Sequence, residues 1–276
     1  MKTILVATDF SPAAMNAVNY ATDMALSIKA DLLLLHIYPM PVSYTEMPVV
    51  VNLAQMELSA EEEMNALEEN LIRQTAGLLS IKTKVIIGSF FEELKTVCEE
   101  VEPYAVVMGS QGTSAIERFM FGGHAVYAMK HLMWPLITVP SNAHYSSIKK
   151  IGLACDFEKP VDATSIEEIT KMVNDFHAVL LILNTGSNDA FNPEIVFQST
   201  LLQERLIELK PALHFITGKN TNESILNFVE ENQIDLLIVL PKRHSLLEMI
   251  IHKSHTKQFV LHCHVPVLAL QRFSRL

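Results

Sequence analysis

The sequence predicts an α/β protein made of two tandem copies of one domain, each a five-stranded, mostly parallel, doubly wound sheet. Three observations support this prediction: an internal repeat, short continuous apolar runs, and amphipathic stretches between those runs. Parallel strands that are covered by helices on both faces read as continuous apolar segments rather than alternating ones. The 276 residues are enough for two such domains, each with its own core.

The internal repeat has a period of about 140 residues, which indicates duplicated domains rather than the shorter repeats of solenoids. Four segments return in the same order: 2–10 as 149–157, 30–38 as 177–185, 84–108 as 214–240, and 114–139 as 245–270. Between the copies lies the short polar segment PSNAHYSS. We therefore expect a first domain over 1–143 and a degenerate second domain over 144–276.

Five apolar runs predict the strands of the first copy: ILVA, LLLLHI, KVII, AVVM and LITV. Ser11 followed by Pro12 fits the N-cap and first turn of the helix after the first strand. Asp9 lies just before this cap. Because Ser11 is the better cap, we expect Asp9 to be free to point over the carboxyl edge of the sheet, where ligands of such sheets bind.

Two further helix starts follow from capping residues. Ser59-x-x-Glu62 is a capping box, which predicts a helix that begins there and runs to about Leu79. In the second copy, Thr164-x-x-Glu167 has the same spacing ahead of IEEITKMVNDF, with Asp162 as the alternative cap.

Composition narrows the classes of function. A net charge of −10 without a basic stripe argues against nucleic acid as a partner. No apolar run is long enough for a membrane span, and Asp9 interrupts the apolar N-terminus too early for a signal peptide, so we expect a cytoplasmic protein. Cys98, Cys155 and Cys263 have apolar neighbours, which predicts buried, reduced thiols.

Four of the nine glycines lie close together after the fourth predicted strand. Gly109 and Gly112 bound a tight turn whose backbone N–H groups suit an anion. Gly122 and Gly123 precede the helix HAVYAMKHL, whose N-terminus offers further donors. This pattern predicts an anion site at the carboxyl edge of the sheet. The alternative is that the glycines only permit two turns in a mobile loop.

The spacing Gly109-x-x-Gly112, then nine residues, then Gly122 resembles the nucleotide-binding signature of the universal stress protein family. The segments VATDFS, ADLLLLHIY, GSFFEEL and PLITVP are also similar to that family's pattern, in the same order. The resemblance covers the first copy and, more faintly, the second, so the chain is identified as a tandem member. It implies the fold described above and, for the nucleotide-binding branch, ATP held with Mg²⁺ or Mn²⁺.

The resemblance also implies a set of binding residues. Ala7 and Asp9 would face the adenosine and Ile37 the adenine, while the ribose and phosphates would meet Gly109, Gly112, Gly122 and Gly123, with His124 opening the next helix. One position departs from the family, because Gly123 replaces a Ser or Thr hydroxyl. Losing one neutral hydrogen bond costs roughly 0.5–1.5 kcal/mol, which weakens binding by about tenfold at most.

The second copy lacks this apparatus. Pro241-Lys242-Arg243-His244 replaces Gly-Ser-Gln-Gly, and Lys253-Ser254 replaces the glycine pair. Proline removes a donor, and the side chains fill the space of a phosphate, so we expect ATP in the first domain only. His262 and His264 fit the end of a helix better than a metal site, and His252 and His255 align with a turn of the first copy.

The sequence lacks a Walker loop, the acid and lysine pattern of a phosphoacceptor receiver, and the Ser-Gly-Gly-x-Asp-Ser loop of related pyrophosphatases. We therefore expect no catalytic residues and no enzyme, with slow ATP hydrolysis left open. Two functions stay open: an ATP-binding stress-response regulator with an unidentified protein partner, and a ligand-free stress-related interaction scaffold in which neither domain binds nucleotide.

The resemblance has one further implication, for assembly. Single-domain members of the family dimerise through their last strands. We expect PLITVP and PVLALQ to pair antiparallel within this chain as a pseudo-dimer. Further homo-oligomerisation is left open.

Overall fold

The computed structural model describes residues 2–39, 53–110, 123–155, 157, 161, 163–185, 193–215, 221–240 and 263–271. The described elements of the first half are β1 (Thr3–Ala7), α1 (Pro12–Ile28), β2 (Asp31–Tyr38), α2 (Leu53–Gln74), β3 (Ile81–Ile87), α3 (Phe90–Val101), β4 (Ala105–Gly109), α4 (Gly123–His131) and β5 (Leu136–Val139). Those of the second half are β6 (Lys150–Cys155), α5 (Ala163–Phe176), β7 (Val179–Asn184), α6 (Pro193–Arg205), a 3₁₀ turn (Ile207–Leu209), β8 (Ala212–Phe215), α7 (Thr221–Asn232), β9 (Leu236–Val239) and β10 (Val267–Ala269).

All described strands belong to one sheet, in the order β3-β2-β1-β4-β5-β10-β9-β6-β7-β8. Neighbouring strands are parallel within each half, whereas β5 and β10, which join the halves, are antiparallel. The predicted α/β class, with two five-stranded doubly wound halves, is confirmed. The predicted boundary at 143/144 lies in the connection between β5 and β6 and stays a prediction.

The junction of the halves has local two-fold symmetry. In the parallel ladders, Leu136 pairs with Val106 and Val267 pairs with Leu237, so Leu136 and Val267 are equivalent residues. Ile137 and Leu268, which follow them, are therefore equivalent, and they pair directly with each other across β5 and β10. A pseudo-two-fold axis passes between these two residues. The antiparallel pairing expected for the last strands is confirmed.

Helices cover both faces of the sheet, and alternate strand residues point to opposite faces. On one face Ile4 and Val6 belong to a cluster with residues of α1 and α2, and on the other Leu5 belongs to a cluster with residues of α3 and α4. The first two connections thus run over one face and the next two over the other, as in other doubly wound sheets.

The cap of α1 is as predicted. The Oγ of Ser11 accepts a hydrogen bond from the Ala14 N–H at 3.1 Å, and Pro12 occupies the first turn. The predicted bounds of the next helix are wrong. Ser59 and Glu62 lie inside α2, because the preceding residues Leu53 to Leu58 are mostly good helix formers.

The predicted end of α2 near Leu79 is also wrong, because the helix stops at Gln74. Ala76 and Gly77 adopt left-handed φ angles of 50° and 71°, and the Gly77 N–H donates to the Ile72 carbonyl at 2.9 Å. This is the geometry of a helix C-cap, which glycine favours.

Thr164 is likewise not the N-cap of α5. It is the second residue of that helix, which begins at Ala163. The alternative cap, Asp162, lies outside the described residues.

The three cysteines are buried and are not joined in disulfides, as predicted. Burial raises the pKa of Cys98 to about 12, with a further contribution from Glu99, and burial raises the pKa of Cys263 to about 11. These two thiols therefore stay protonated and unreactive near neutral pH. Within the described part of the chain, none of the helices combines the length and hydrophobicity that a membrane crossing requires.

Candidate functional site

The predicted binding residues of the first half lie along one edge of the sheet. Ala7 ends β1 and Gly109 ends β4, and these two strands are neighbours. Ile37 is the penultimate residue of β2, which flanks β1 on its other side. The chain leaves β1 towards β2 and returns later to β4, so β1 and β4 bound the topological switch point. Ligands of open α/β sheets bind at this point.

Asp9 lies exposed just beyond β1, but it is not free of local contacts as the sequence suggested. Its Oδ1 accepts a hydrogen bond from the Ser11 N–H at 3.0 Å, and Thr8 Oγ1 accepts one from the Phe10 N–H at 3.1 Å. These two bonds accompany a left-handed backbone at Phe10, with φ of 61°. One carboxylate oxygen of Asp9 therefore shapes the loop after β1.

The second half repeats this loop conformation. Phe157, the equivalent of Phe10, has φ of 54° and is buried. Its preceding residue, Asp156, lies outside the described residues. A left-handed conformation is uncommon for a bulky residue. The repeated Asp-Phe pair thus reflects the geometry of a turn and does not by itself indicate a ligand.

His36 is a residue of this edge that the sequence analysis did not select. Its Nδ1 lies 2.8 Å from the Thr8 carbonyl oxygen and must carry the proton, because a carbonyl oxygen only accepts. Its ring lies 4.9 Å from that of Phe10 and 6.1 Å from that of Tyr38. Ile37 points to the other face and is buried in the cluster with α3 and α4. The only sequence signal for His36 was its adjacency to Ile37.

Gly109 has a packing role. A Cβ at this position would lie 2.8 Å from the Ala13 carbonyl oxygen and 3.1 Å from the Ala14 nitrogen, both backbone atoms of the first turn of α1. The end of β4 therefore approaches α1 more closely than any side chain allows. Gly112 and Gly122 lie outside the described residues.

The helix that follows the glycine segment begins at Gly123, with His124 as its second residue. The exposed ring of His124 stacks on Phe90, the first residue of α3, at a centroid distance of 4.4 Å and an interplanar angle of 11°. This contact fixes the start of α4 against α3. The first N–H groups of an α-helix have no partner within the helix, so the start of α4 presents donors.

A model of the universal stress protein family matches residues 1–140 and 198–271. The chain belongs to the universal stress protein family. The two matched segments fall in the two halves of the sheet, so the chain is a tandem universal stress protein. No curated protein matches the sequence.

Solved structures share the whole tandem fold. A universal stress protein from Archaeoglobus fulgidus DSM 4304 has 15% sequence identity and a TM-score of 0.73, covering 99% of this chain and 97% of that chain. A Pseudomonas aeruginosa UCBPP-PA14 protein assigned to the universal stress proteins has 11% identity and a TM-score of 0.54, covering 99% of this chain and 94% of its own. At these identities the likeness shows the fold.

Nucleotides occur in other members of the family. A universal stress protein family protein from Arabidopsis thaliana was solved with AMP bound, and it has 18% identity to this chain. It covers 52% of this chain and 94% of its own, with a TM-score of 0.35.

In the second universal stress domain, the segment that corresponds to the glycine turn is Pro241-Lys242-Arg243-His244, which lies outside the described residues. The same holds for His252, His255 and His262. His264 is described, and its Nδ1 lies 3.1 Å from the Asn142 Nδ2 in the connection between the halves. In the parts of the chain that the structure covers, His, Cys, Asp and Glu form no group suited to a metal ion.

We expect Gly109→Ala to lower the free energy of unfolding of this universal stress protein by about 1–2 kcal/mol, because the added methyl meets rigid backbone. Gly77→Ala is the matched control, since nothing lies within 4 Å of the methyl group that alanine would add there and only its φ of 71° is unfavourable. Urea denaturation measures both. A loss below about 0.5 kcal/mol for Gly109→Ala would mean that the contact with α1 does not require a glycine.

Proposed function

We propose that this universal stress protein binds one ATP per chain, at the carboxyl edge of its first domain, and acts as a nucleotide-dependent stress-response regulator. The observation that supports this proposal is the convergence at the switch point of the ends of β1, β2 and β4. The glycine segment connects this edge to the start of α4. The regulator would signal through an unidentified protein partner.

The residues at this edge suit an adenine nucleotide. Ala7 and Asp9 would contact the adenosine, and Asp9 still has a second carboxylate oxygen besides the one held by Ser11. Ile37 would contact the adenine through its backbone, because its side chain is buried. The phosphates would lie against the glycine turn that begins at Gly109 and the N-terminus of α4 at Gly123, where free N–H groups and the helix dipole favour anions.

A divalent cation would reach the site with the nucleotide. Mg²⁺ is commonly held through substrate phosphates and water rather than by a cage of protein ligands. We therefore propose Mg²⁺ or Mn²⁺ as part of the bound nucleotide, with no metal site of the chain's own.

We propose binding rather than enzymatic turnover. A general base must be placed within hydrogen-bond reach of the proton that it removes. Here the Oδ1 of Asp9 is held by the Ser11 N–H, and the Nδ1 of His36 is held by the Thr8 carbonyl. Both side chains are thus oriented by the local structure, and because these bonds leave the second oxygen of Asp9 and the Nε2 of His36 available, slow hydrolysis is compatible with this arrangement.

The second candidate function is the ligand-free interaction scaffold. Two observations favour it: Gly123 lacks the hydroxyl of the family's Ser or Thr, and Gly109 is explained by its contact with α1 without any ligand. The two candidates differ in one measurable property, which is whether the first domain binds nucleotide.

We expect the purified protein to release ATP on denaturation, as detected by mass spectrometry. We also expect Mg-ATP to raise the melting temperature with one site per chain by calorimetry, since a ligand selective for the native state stabilises it. Gly112→Val should abolish both effects, because its side chain would block the phosphate turn. Gly123→Ser should bind more tightly, by up to about tenfold, through the restored hydroxyl.

Lys242→Ala is the control, since it lies in the second domain and should leave binding unchanged. Gly109 is unsuitable for this test, because its substitution disturbs the contact with α1. If neither the wild type nor Gly123→Ser gives a melting shift or heat with millimolar Mg-ATP, the scaffold replaces the regulator.

A further inference from the structure

A cavity of about 450 Å³ lies between the two domains, away from the proposed nucleotide site. Its first wall consists of residues that precede β4 and β5, among them Pro103 and Trp134, and therefore lies at the amino edge of the first domain's sheet. Its second wall consists of Glu168 and Lys171 of α5, with Leu270 beyond the end of β10. Its volume is in the range of small-molecule sites.

The pseudo-two-fold axis relates this cavity to a groove that is filled. Leu32 of β2 and Leu180 of β7 are equivalent, because they pair with the equivalent residues Ile4 and Ile151. Tyr20 of α1 lies twelve residues before Leu32, and Glu168 of α5 lies twelve residues before Leu180. Tyr20 is therefore the equivalent of Glu168. The two-fold mate of the cavity is therefore the groove beside Tyr20.

The connection between the domains occupies that groove. Tyr145 packs its ring against Tyr20 at 5.2 Å, edge to face, and its hydroxyl donates to Ser27 Oγ at 2.6 Å. The side chain of Asn16 donates to the carbonyls of Pro140 and Ala143, both at 2.9 Å. The groove beside Tyr20 thus contains an aromatic ring with a polar group, whereas the equivalent position beside Glu168 is a cavity.

The polar groups beside the cavity differ from those of the filled groove. Lys171 Nζ lies 3.6 Å from Glu168 Oε2 and 4.8 Å from the centroid of the Tyr104 ring, so its charge is compensated from two sides. Lys2 is paired with Asp175 at 2.6 Å. The Oε2 of Glu168 is buried and accepts no hydrogen bond within the described residues. Glu102 adds a second carboxylate to the lining.

We propose that this interdomain cavity binds a small aromatic amine, with the ring against Trp134 and the ammonium group beside Glu168. Among the described residues, the Glu168 Oε2 has only the long ion pair with Lys171 at 3.6 Å and no hydrogen bond, and an ammonium group in the cavity would supply charge-assisted donors at hydrogen-bond distance. The lining carries two carboxylates and one lysine, so its net charge favours a cation. Trp134, Met133, Pro103 and Leu270 provide an apolar surface for the ring, and an indole face also attracts cations.

Trp134 is the only tryptophan of the chain and therefore reports on this cavity alone. We expect 2-phenylethylamine to change its fluorescence in a saturable manner, with one site per chain. The isosteric 2-phenylethanol and the anionic 3-phenylpropionate should bind at least about tenfold more weakly, because they lack the charged donor. The proposal is overturned if the amine gives no saturable change at millimolar concentration, or if the three probes bind equally.

Three variants locate the ammonium group. Glu168→Gln should weaken binding of 2-phenylethylamine by about tenfold or more, because it removes the charge that pairs with the amine. Glu167→Gln is the matched control: the neighbouring side chain on α5 is exposed, and its substitution should leave the affinity unchanged. Lys171→Met should tighten binding by removing the competing cation. Equal affinities of the wild type, Glu168→Gln and Lys171→Met would overturn the proposal even if one variant is less stable.

A shortened chain without residues 272–276 tests whether the chain's own last residues occupy the cavity in place of an amine. We expect its tryptophan emission without ligand, and its affinity for the amine, to equal those of the full chain. If the amine binds only to the shortened chain, the cavity belongs to the chain's own last residues and the amine proposal fails.

Discussion

Ile137→Ala and Leu268→Ala should each lower the free energy of unfolding by about 2–5 kcal/mol, the usual cost of truncating a fully buried aliphatic side chain. Both side chains have 0% exposure and belong to the same hydrophobic cluster. They also pair with each other on the pseudo-two-fold axis. Each substitution therefore removes packing from the strand pair that unites the two domains.

Urea denaturation of the two single variants and the double variant measures this effect as a double-mutant cycle. Because the residues are direct cross-strand partners, we expect a coupling free energy of about 0.5–1 kcal/mol between them. Val179→Ala, in a strand but 57% exposed, should change stability by less than about 0.5 kcal/mol. Single losses no larger than that of the control would show that the β5–β10 pairing contributes little to the stability of the chain.

The strands and their junction could be predicted because their signals are long-range and redundant. The repeat identifies each strand twice, and a buried parallel strand such as β4 reads as an uninterrupted apolar run. The ends of the helices were harder to predict, because a capping box is a local pattern and the helix propensity of neighbouring residues can outweigh it. Ser59 fits a cap by type and spacing, but the residues before it continue the helix.

The position of the candidate site could also be predicted, because the carboxyl ends of parallel strands share one edge. The contacts within it could not. Sequence spacing does not reveal that Gly109 meets the backbone of α1, or that Asp9 bonds to Ser11, because both depend on how the loop after β1 packs. Nor does it separate Ile37 from His36, whose side chains point to opposite faces of β2.

The two domains also distribute side-chain volume differently between one strand position and one helix position. Leu5 and Val97 are both fully buried in the cluster on the α3 face of the first domain. Their equivalents are Gly152 and Phe228, since Leu5 follows Ile4 as Gly152 follows Ile151, and Val97 and Phe228 each lie eight residues before the next strand. The first domain thus combines a large strand residue with a smaller helix residue, whereas the second combines a glycine in the strand with a phenylalanine in the helix.

We expect Gly152→Leu to lower the free energy of unfolding by about 3 kcal/mol, because even a Cβ at this position would lie 3.2 Å from Phe228 and Ile234. Phe228→Val alone should cost about 2–3 kcal/mol, because it leaves a cavity and removes the ring contact with His214 at 5.4 Å. The double variant restores the combination found in the first domain. It should therefore fall within about 1–2 kcal/mol of the wild type, well short of the sum of the two single losses.

Chemical denaturation of the wild type, the two single variants and the double variant shows whether the two residues are complementary or destabilise the domain independently. If the two sites act independently, the double variant loses about 5 kcal/mol, the sum of the single effects, and many domains would not survive such a loss. Complementary packing instead predicts a favourable coupling free energy, because the leucine fills the space that the phenylalanine vacates. A double variant no more stable than Gly152→Leu would show that the leucine and valine combination of the first domain does not pack well in the second, despite the equivalence of their strands and helices.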